Sequence, residues 1–271
     1  MPEPMIDVTP TRNWRPFTRA RLRDAIGPSN PLYTPLESQM FQDVYWFVND
    51  DFIGVLDTNV WTASNSGGAG VANFARVASI PGGAIEGDPG TADDADIRLF
   101  TTSNELITSR RRPVLYGRIG TNTAVANSKW EFGFVDAVGA GAVLVKATPT
   151  STATDYAVII RDADHNTSVD LVTDGTTDTV GLVASSPGLP SAWATQTWYS
   201  LVISLDEQRA CRFYVDGIFQ GIRRAGPDAA TTLGAWLYAQ NRGDVDSRTL
   251  RADYMKGYAE RVPFSGDAFT T

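Results

Sequence analysis

Cysteine and histidine are almost missing from this chain: Cys211 and His165 are the only ones in 271 residues. A single cysteine excludes an intrachain disulfide. A single histidine excludes a histidine-rich zinc site, and any serine triad would depend on that one residue. His165 sits in Asp164-His165-Asn166, a turn sequence. Cys211 alternates with Phe213 and Val215, so it reads as a small buried apolar residue. Long apolar runs are absent too. None approaches the roughly 18 residues that span a bilayer. The opening Met-Pro-Glu-Pro-Met-Ile-Asp has neither the basic nor the apolar region of a secretory signal. Positive charge is in deficit, with 23 Lys and Arg against 31 Asp and Glu and a net charge of −8. That balance disfavours nucleic acid, whose affinity comes largely from neutralised phosphates. Gly139-Ala140-Gly141 lacks the third glycine, the helix and the acid of a dinucleotide site.

What the chain does have is strand-forming sequence. Tyr199, Leu201, Ile203 and Leu205 alternate with Ser200, Val202, Ser204 and Asp206. That is the period-2 pattern of a half-buried strand, with Val202 as the exception on the polar side. Asp216-Gly217 separates two apolar runs. It predicts a two-residue type I′ hairpin, which needs positive φ at both central positions. Further strands are predicted over 52–56, 72–80, 97–101, 114–119, 130–136, 141–146, 157–161, 168–173, 210–215, 218–223, 236–240 and 250–258. Turn clusters such as Gly87-Asp88-Pro89-Gly90 and Ser186-Pro187-Gly188 stand between them. Short strands at this spacing, without helical periodicity, predict an all-β sandwich.

The first 45 residues differ. They hold seven of the fifteen prolines and five arginines, at 12, 15, 19, 21 and 23. Four acids leave the first forty residues at +1, so the remainder carries −9. The prolines exclude a long helix, and the apolar residues are too few for a separate core. Residues 1–45 are expected to form an extended arm and residues 46–271 a jelly-roll β-sandwich.

The run from Trp198 to Gly217 and the last strand, Leu250 to Tyr258, resemble the concanavalin A-like lectin/glucanase and laminin-G-like jelly rolls. Asp50 to Trp61 is similar to the opening strand of that domain in tailed-bacteriophage virion proteins. Arg112 to Ile119 and Trp130 to Asp136 continue the likeness, which covers about residues 46–263. The resemblance implies a concanavalin A-like sandwich and a virion protein.

A glucanase needs two carboxylates flanking the scissile bond. Glucanases of this fold carry them on one strand as Glu-x-Asp-x-Glu, or with one extra residue. Here Glu131 matches the first acid, Gly133 stands in place of the central Asp, and Asp136 lies an odd number of residues away, on the other face of a regular strand. Hydrolysis is therefore not expected, and neither is a cofactor. The acids Asp93-Asp94-x-Asp96, Asp162-x-Asp164, Asp174-Gly175-x-x-Asp178 and Asp244-x-Asp246 read as turns rather than calcium loops.

The expected function is that of a non-enzymatic capsid decoration (cement) protein on the virion surface, made in the host cytoplasm. Its partners would be the major capsid protein and neighbouring copies of itself, as a homo-oligomer such as a trimer, without nucleic acid or membrane. The arm would make the contact through Arg12, Trp14, Arg15, Phe17, Arg19, Arg21 and Arg23. The alternative is a carbohydrate-binding module of a phage tail or receptor-binding assembly, using Trp61, Trp193, Trp236 and Tyr238. Trp236 and Tyr238 alternate as a core face would, and Trp193 and Trp198 flank a strand start, where a core role is expected.

Overall fold

The structure is a computed structural model. It describes residues 44–67, 70–80, 82–102, 107–121, 127–137, 141–145, 150–151, 153–163, 169–174, 194, 196–243 and 249–260. The chain divides into Met1–Asp43 and Val44–Thr271, and every described residue belongs to the second unit. The expected arm contacts, Arg12 to Arg23, lie outside the described residues, as does Trp193.

The strands are β1 (Val44–Asp50), β2 (Trp61–Asn65), β3 (Ala72–Arg76), β4 (Ile85–Asp88), β5 (Asp96–Thr101) and β6 (Ile107–Thr108). They continue with β7 (Val114–Thr121), β8 (Ser128–Val135), β9 (Leu144–Val145), β10 (Thr150–Ser151), β11 (Tyr156–Asp162) and β12 (Val169–Asp174). The last are β13 (Trp198–Leu205), β14 (Cys211–Val215), β15 (Ile218–Arg223), β16 (Thr232–Asn241) and β17 (Leu250–Glu260). One eight-stranded sheet runs β15-β14-β13-β7-β17-β4-β3, with β1 also on β17. A seven-stranded sheet runs β12-β11-β8-β16-β5-β2, with β6 on β16. Within both sheets the pairs are antiparallel.

The core lies between these sheets. Leu201, Ile203, Phe213 and Leu115 come from one side, and Phe132, Phe134, Ile159 and Leu237 from the other, all at 0% exposure. Each such side chain stabilises the fold by about 1.5–3 kcal/mol on burial. The alternation expected of β13 is present: Tyr199, Leu201, Ile203 and Leu205 are buried, and their neighbours are half-buried on the solvent side. Asp216 and Gly217 have φ of 50° and 76°, the two positive values a type I′ turn requires. Cys211 is buried in the core, and burial pushes its thiol well above the usual range.

Two predicted features are corrected. No strand covers 52–56; those residues are bends and loop, and the flanking strands are β1 and β2. Phe52 is buried in a left-handed conformation at φ 53°, its N–H donating to Asp50 Oδ1 at 2.8 Å. The same carboxylate accepts the Trp61 indole N–H at 2.9 Å through Oδ2, so Asp50 ties β1 to β2 across the loop. β1 also starts at Val44, inside the span expected for the arm. The second correction is at Gly87-Asp88, expected as turn but lying in β4. Gly87 serves there by close approach: a Cβ would sit 2.5 Å from Ile97 Cδ1 and 3.0 Å from the Phe74 ring.

Candidate functional site

The solvent-side face of the seven-stranded sheet is where a glucanase of this architecture would place its acids. Here that face is closed. Glu131, at 0% exposure, points away from the main core, because its neighbours Trp130 and Phe132 fill that core. One carboxylate oxygen lies 2.8 Å from Lys129 Nζ. The other accepts the Trp236 indole N–H at 2.9 Å and the Val143 backbone N–H at 2.8 Å. Val135, Tyr156, Val158, Val172, Trp236 and Tyr238 form a second apolar cluster on this face, completed by Val143 and Ala153 from the connection between β8 and β11. Glu131 is thus a buried structural acceptor, cut off from solvent.

Among the described residues, neither position 133 nor Asp136 supplies a second acid beside it. A Cβ at Gly133 would meet Ala157 O at 2.2 Å and Val158 Cα at 2.8 Å, so an aspartate cannot be placed there without moving backbone. Asp136 lies beyond the end of β8 and accepts hydrogen bonds from the Thr154 N–H and hydroxyl, at 3.2 and 2.7 Å.

Asp162, Asp94 and Asp96 meet cations of the chain itself. Asp162 takes both arms of the Arg242 guanidinium, the Nε contact being 3.0 Å. Asp94 Oδ1 lies 2.8 Å from Arg242 Nη1, and Asp96 pairs with Arg98 at 2.8 Å. Burial works to lower the Arg242 pKa, but the hydrogen bonds and charges of Asp162 and Asp94 outweigh it and hold the group above its ordinary value. Among the described residues no three His, Cys, Asp or Glu side chains come together as a metal site. Asp164, Asp178, Asp244 and Asp246 lie outside the described residues.

Three of the four aromatics expected to meet a glycan are enclosed. Trp61 is 1% exposed, Trp236 0% and Tyr238 1%. Trp61 faces the main core through the alternation of β2. Trp236 and Tyr238 stack on each other at 5.8 Å beneath the cover of the second cluster. Burial raises the Tyr238 hydroxyl pKa, as do Asp96 and Glu131 nearby. None of these three rings offers a face to solvent, so they cannot serve as stacking platforms in this fold.

The open face belongs to the eight-stranded sheet. The register places Lys256 beside Tyr116, Tyr116 beside Val202, Val202 beside Tyr214, and Tyr214 beside Phe219. This row crosses β17, β7, β13, β14 and β15 on the solvent side. Tyr116 also stacks on Tyr258 at 6.0 Å, and Tyr214 meets Phe219 edge-on at 5.5 Å. Phe219 is 53% exposed, and Ile218 and Ile222 continue the exposed apolar surface of β15. A lone exposed apolar residue needs no explanation, but a contiguous band is the kind of surface that marks an interaction site. The signal is present in Val202, an apolar residue on the polar side of its strand.

At the head of β13 the same face holds a shallow cavity of about 130 Å³, lined by Gly120, Thr121, Gln196, Thr197, Trp198 and Arg251. Trp198 is half-buried and pairs in register with Gly120. It falls on the solvent side of its strand rather than in the core. The Arg118 guanidinium sits 5.4 Å from its ring.

No protein-family profile matches the chain, and no curated protein matches it. Solved structures do. The Emp47p carbohydrate recognition domain is 9% identical, with a TM-score of 0.55 over 82% of this chain and 99% of that one. A structure from work on endo-acting O-glycanases of the human gut microbiota is 11% identical, with a TM-score of 0.56 over 79% and 99%. A Bacteroides ovatus mixed-linkage glucan GH16 protein is 10% identical, with a TM-score of 0.51 over 78% and 99%. The fold is therefore the concanavalin A-like lectin/glucanase-type β-sandwich expected from the sequence.

Proposed function

We propose that the chain is a non-enzymatic structural virion protein, a capsid decoration protein that binds the lattice of the major capsid protein and neighbouring copies of itself. The observation that carries this reading is the contrast between the two sheets. The face that would hold catalytic acids is filled with side chains around Glu131, while the opposite face turns Tyr116, Tyr214 and Phe219 outward. Such a molecule is built to adhere. The arm, through Arg12, Trp14, Arg15, Phe17, Arg19, Arg21 and Arg23, would extend the contact beyond the reach of the sandwich. An extended segment covers much surface per residue, and repeated attachment on a symmetric shell raises avidity. The test is quantitative mass spectrometry of purified particles of the source phage. A fixed copy number per particle supports the proposal; absence of the chain overturns it.

A second reading, a carbohydrate-binding module of a tail or receptor-binding assembly, is favoured by one specific observation: the cavity that has Trp198 in its wall. The carbohydrate recognition domain among the structural neighbours is consistent with it. A glycan array probed with the full chain tests this reading, and an array without a binder removes it.

A further inference from the structure

We infer that the cavity at the head of β13 is a binding site for a single neutral sugar ring, with Trp198 as its stacking platform. This goes beyond shell attachment and rests on the second reading above. Size comes first. About 130 Å³ is well below the roughly 300–1,000 Å³ of pockets that enclose drug-sized ligands, so the site suits one ring of a longer chain that otherwise remains in solvent.

The wall is aromatic and its position is fixed. Trp198 lies against the backbone of Gly120, where a Cβ would come within 3.2 Å of the indole and 2.7 Å of Thr197 O. The absence of a side chain at 120 is what lets the indole sit there. Arg118 lies 5.4 Å from the ring and is itself held by Asp253 at 2.7 Å. A preset aromatic ring loses little freedom when a ligand stacks on it.

The rim is polar and electrically balanced. Arg251 is paired with Glu86, and Arg118 with Asp253. An anion would find both guanidinium groups already neutralised. A polyol gains the remaining hydrogen-bonding capacity of Arg251 and the Gln196 amide without requiring net charge. Gln196 is held at φ 57°, a left-handed conformation uncommon for a residue other than glycine. Its N–H donates to Thr121 O at 2.8 Å, which fixes this exposed residue at the cavity edge. Apolar wall and hydroxyl-binding rim together select a hexose over a phosphate or an acidic peptide.

The test is saturation-transfer NMR on the full chain with methyl glycosides of glucose, galactose, mannose and N-acetylglucosamine. The wild type is expected to transfer saturation to the ring protons of at least one of them. Trp198→Ala is expected to weaken that binding about tenfold or more, with native near-ultraviolet dichroism as a folding control. Gln196→Gly relieves the left-handed backbone while removing the amide, so it should fold at least as well and still bind more weakly. Transfer that survives both substitutions unchanged overturns this cavity as the site but leaves glycan binding standing. No transfer from any of the four sugars to the wild type overturns the inference, whatever the array of longer glycans shows.

Discussion

Glu131 accepts the indole N–H of Trp236 at 2.9 Å, and both side chains are wholly buried. This contact joins β8 to β16 on the solvent-side face of the seven-stranded sheet. It turns an acid that resembles a catalytic one into part of the second core. The same carboxylate also holds Lys129 and the Val143 backbone. Removing it takes the nearer carboxylate from the Lys129 ammonium, which also lies 3.9 Å from Asp162, and takes an acceptor from the Trp236 and Val143 N–H groups.

Glu131→Ala should therefore lower unfolding stability by about 3–5 kcal/mol, the cost of breaking a buried ion pair from one side. The double variant Lys129→Met, Glu131→Leu should recover part of that loss, since both charges leave together. It should not recover all of it, because the Trp236 and Val143 donors remain unsatisfied. Urea unfolding of the three proteins checks this. An unchanged midpoint in Glu131→Ala would mean that the site is open to water.

Gly133 gives a sharper test of why the hydrolase pattern is broken. Gly133→Asp restores the first two acids of Glu-x-Asp spacing on paper. In the fold, the new Cβ meets the Ala157 carbonyl and the Val158 backbone. Even Gly133→Ala should cost more than about 3 kcal/mol, because backbone rather than a flexible side chain must move. The expected outcome is poor folding without glycosidase activity, read by thermal melting and a chromogenic glucan assay.

Asp155 supplies a pH dependence. Desolvation raises its pKa above 3.8, opposed by a hydrogen bond from the Asp228 backbone and reinforced by the Asp228 and Asp136 carboxylates. A raised acid binds more protons in the folded than in the unfolded state between the two pKa values. Its contribution to stability therefore falls as pH rises through that window. Asp155→Asn keeps an oxygen to accept the Asp228 N–H, which lies 2.6 Å from Oδ1, and removes the charge. It should be more stable than wild type at neutral pH and show a shallower pH slope, measured by urea midpoints from about pH 4 to pH 7.

Cys211 should be silent toward thiol reagents until the sandwich opens. It is fully enclosed between Phe213 and the 209–226 turn contacts, with Arg209 O at 3.9 Å and no exposed surface, and burial raises its pKa. Labelling under native conditions should proceed at the rate of global unfolding. Faster labelling would place β14 in a locally opening unit.

The parts legible in the sequence were those with a local physical cause. The β13–β15 meander followed from alternation and from an Asp-Gly turn that only positive φ can satisfy. Ile218–Arg223 is a strand as predicted. The parts missed depended on distant partners. Asp50 and Trp61 define a loop because they bond to each other across ten intervening residues, and Gly87 belongs to a strand because Ile97 and Phe74 occupy the space beside it. Trp236 and Tyr238 read as alternating, but alternation alone does not reveal that both faces of their sheet are covered. Its position at a strand start points Trp198 toward the core; its parity with Ser200, Val202 and Ser204 is the better guide to the solvent side.

The most direct measurement of the proposed role is rebinding of the full-length chain to purified particles of the phage that the proposal assigns it to, prepared without this chain. Wild-type protein should saturate the particles at a fixed stoichiometry. A variant with Arg12, Arg15, Arg19, Arg21 and Arg23 replaced by Ser should bind at least tenfold more weakly while unfolding at the same urea midpoint. Full-length wild-type protein that fails to bind such particles at any concentration would contradict the account.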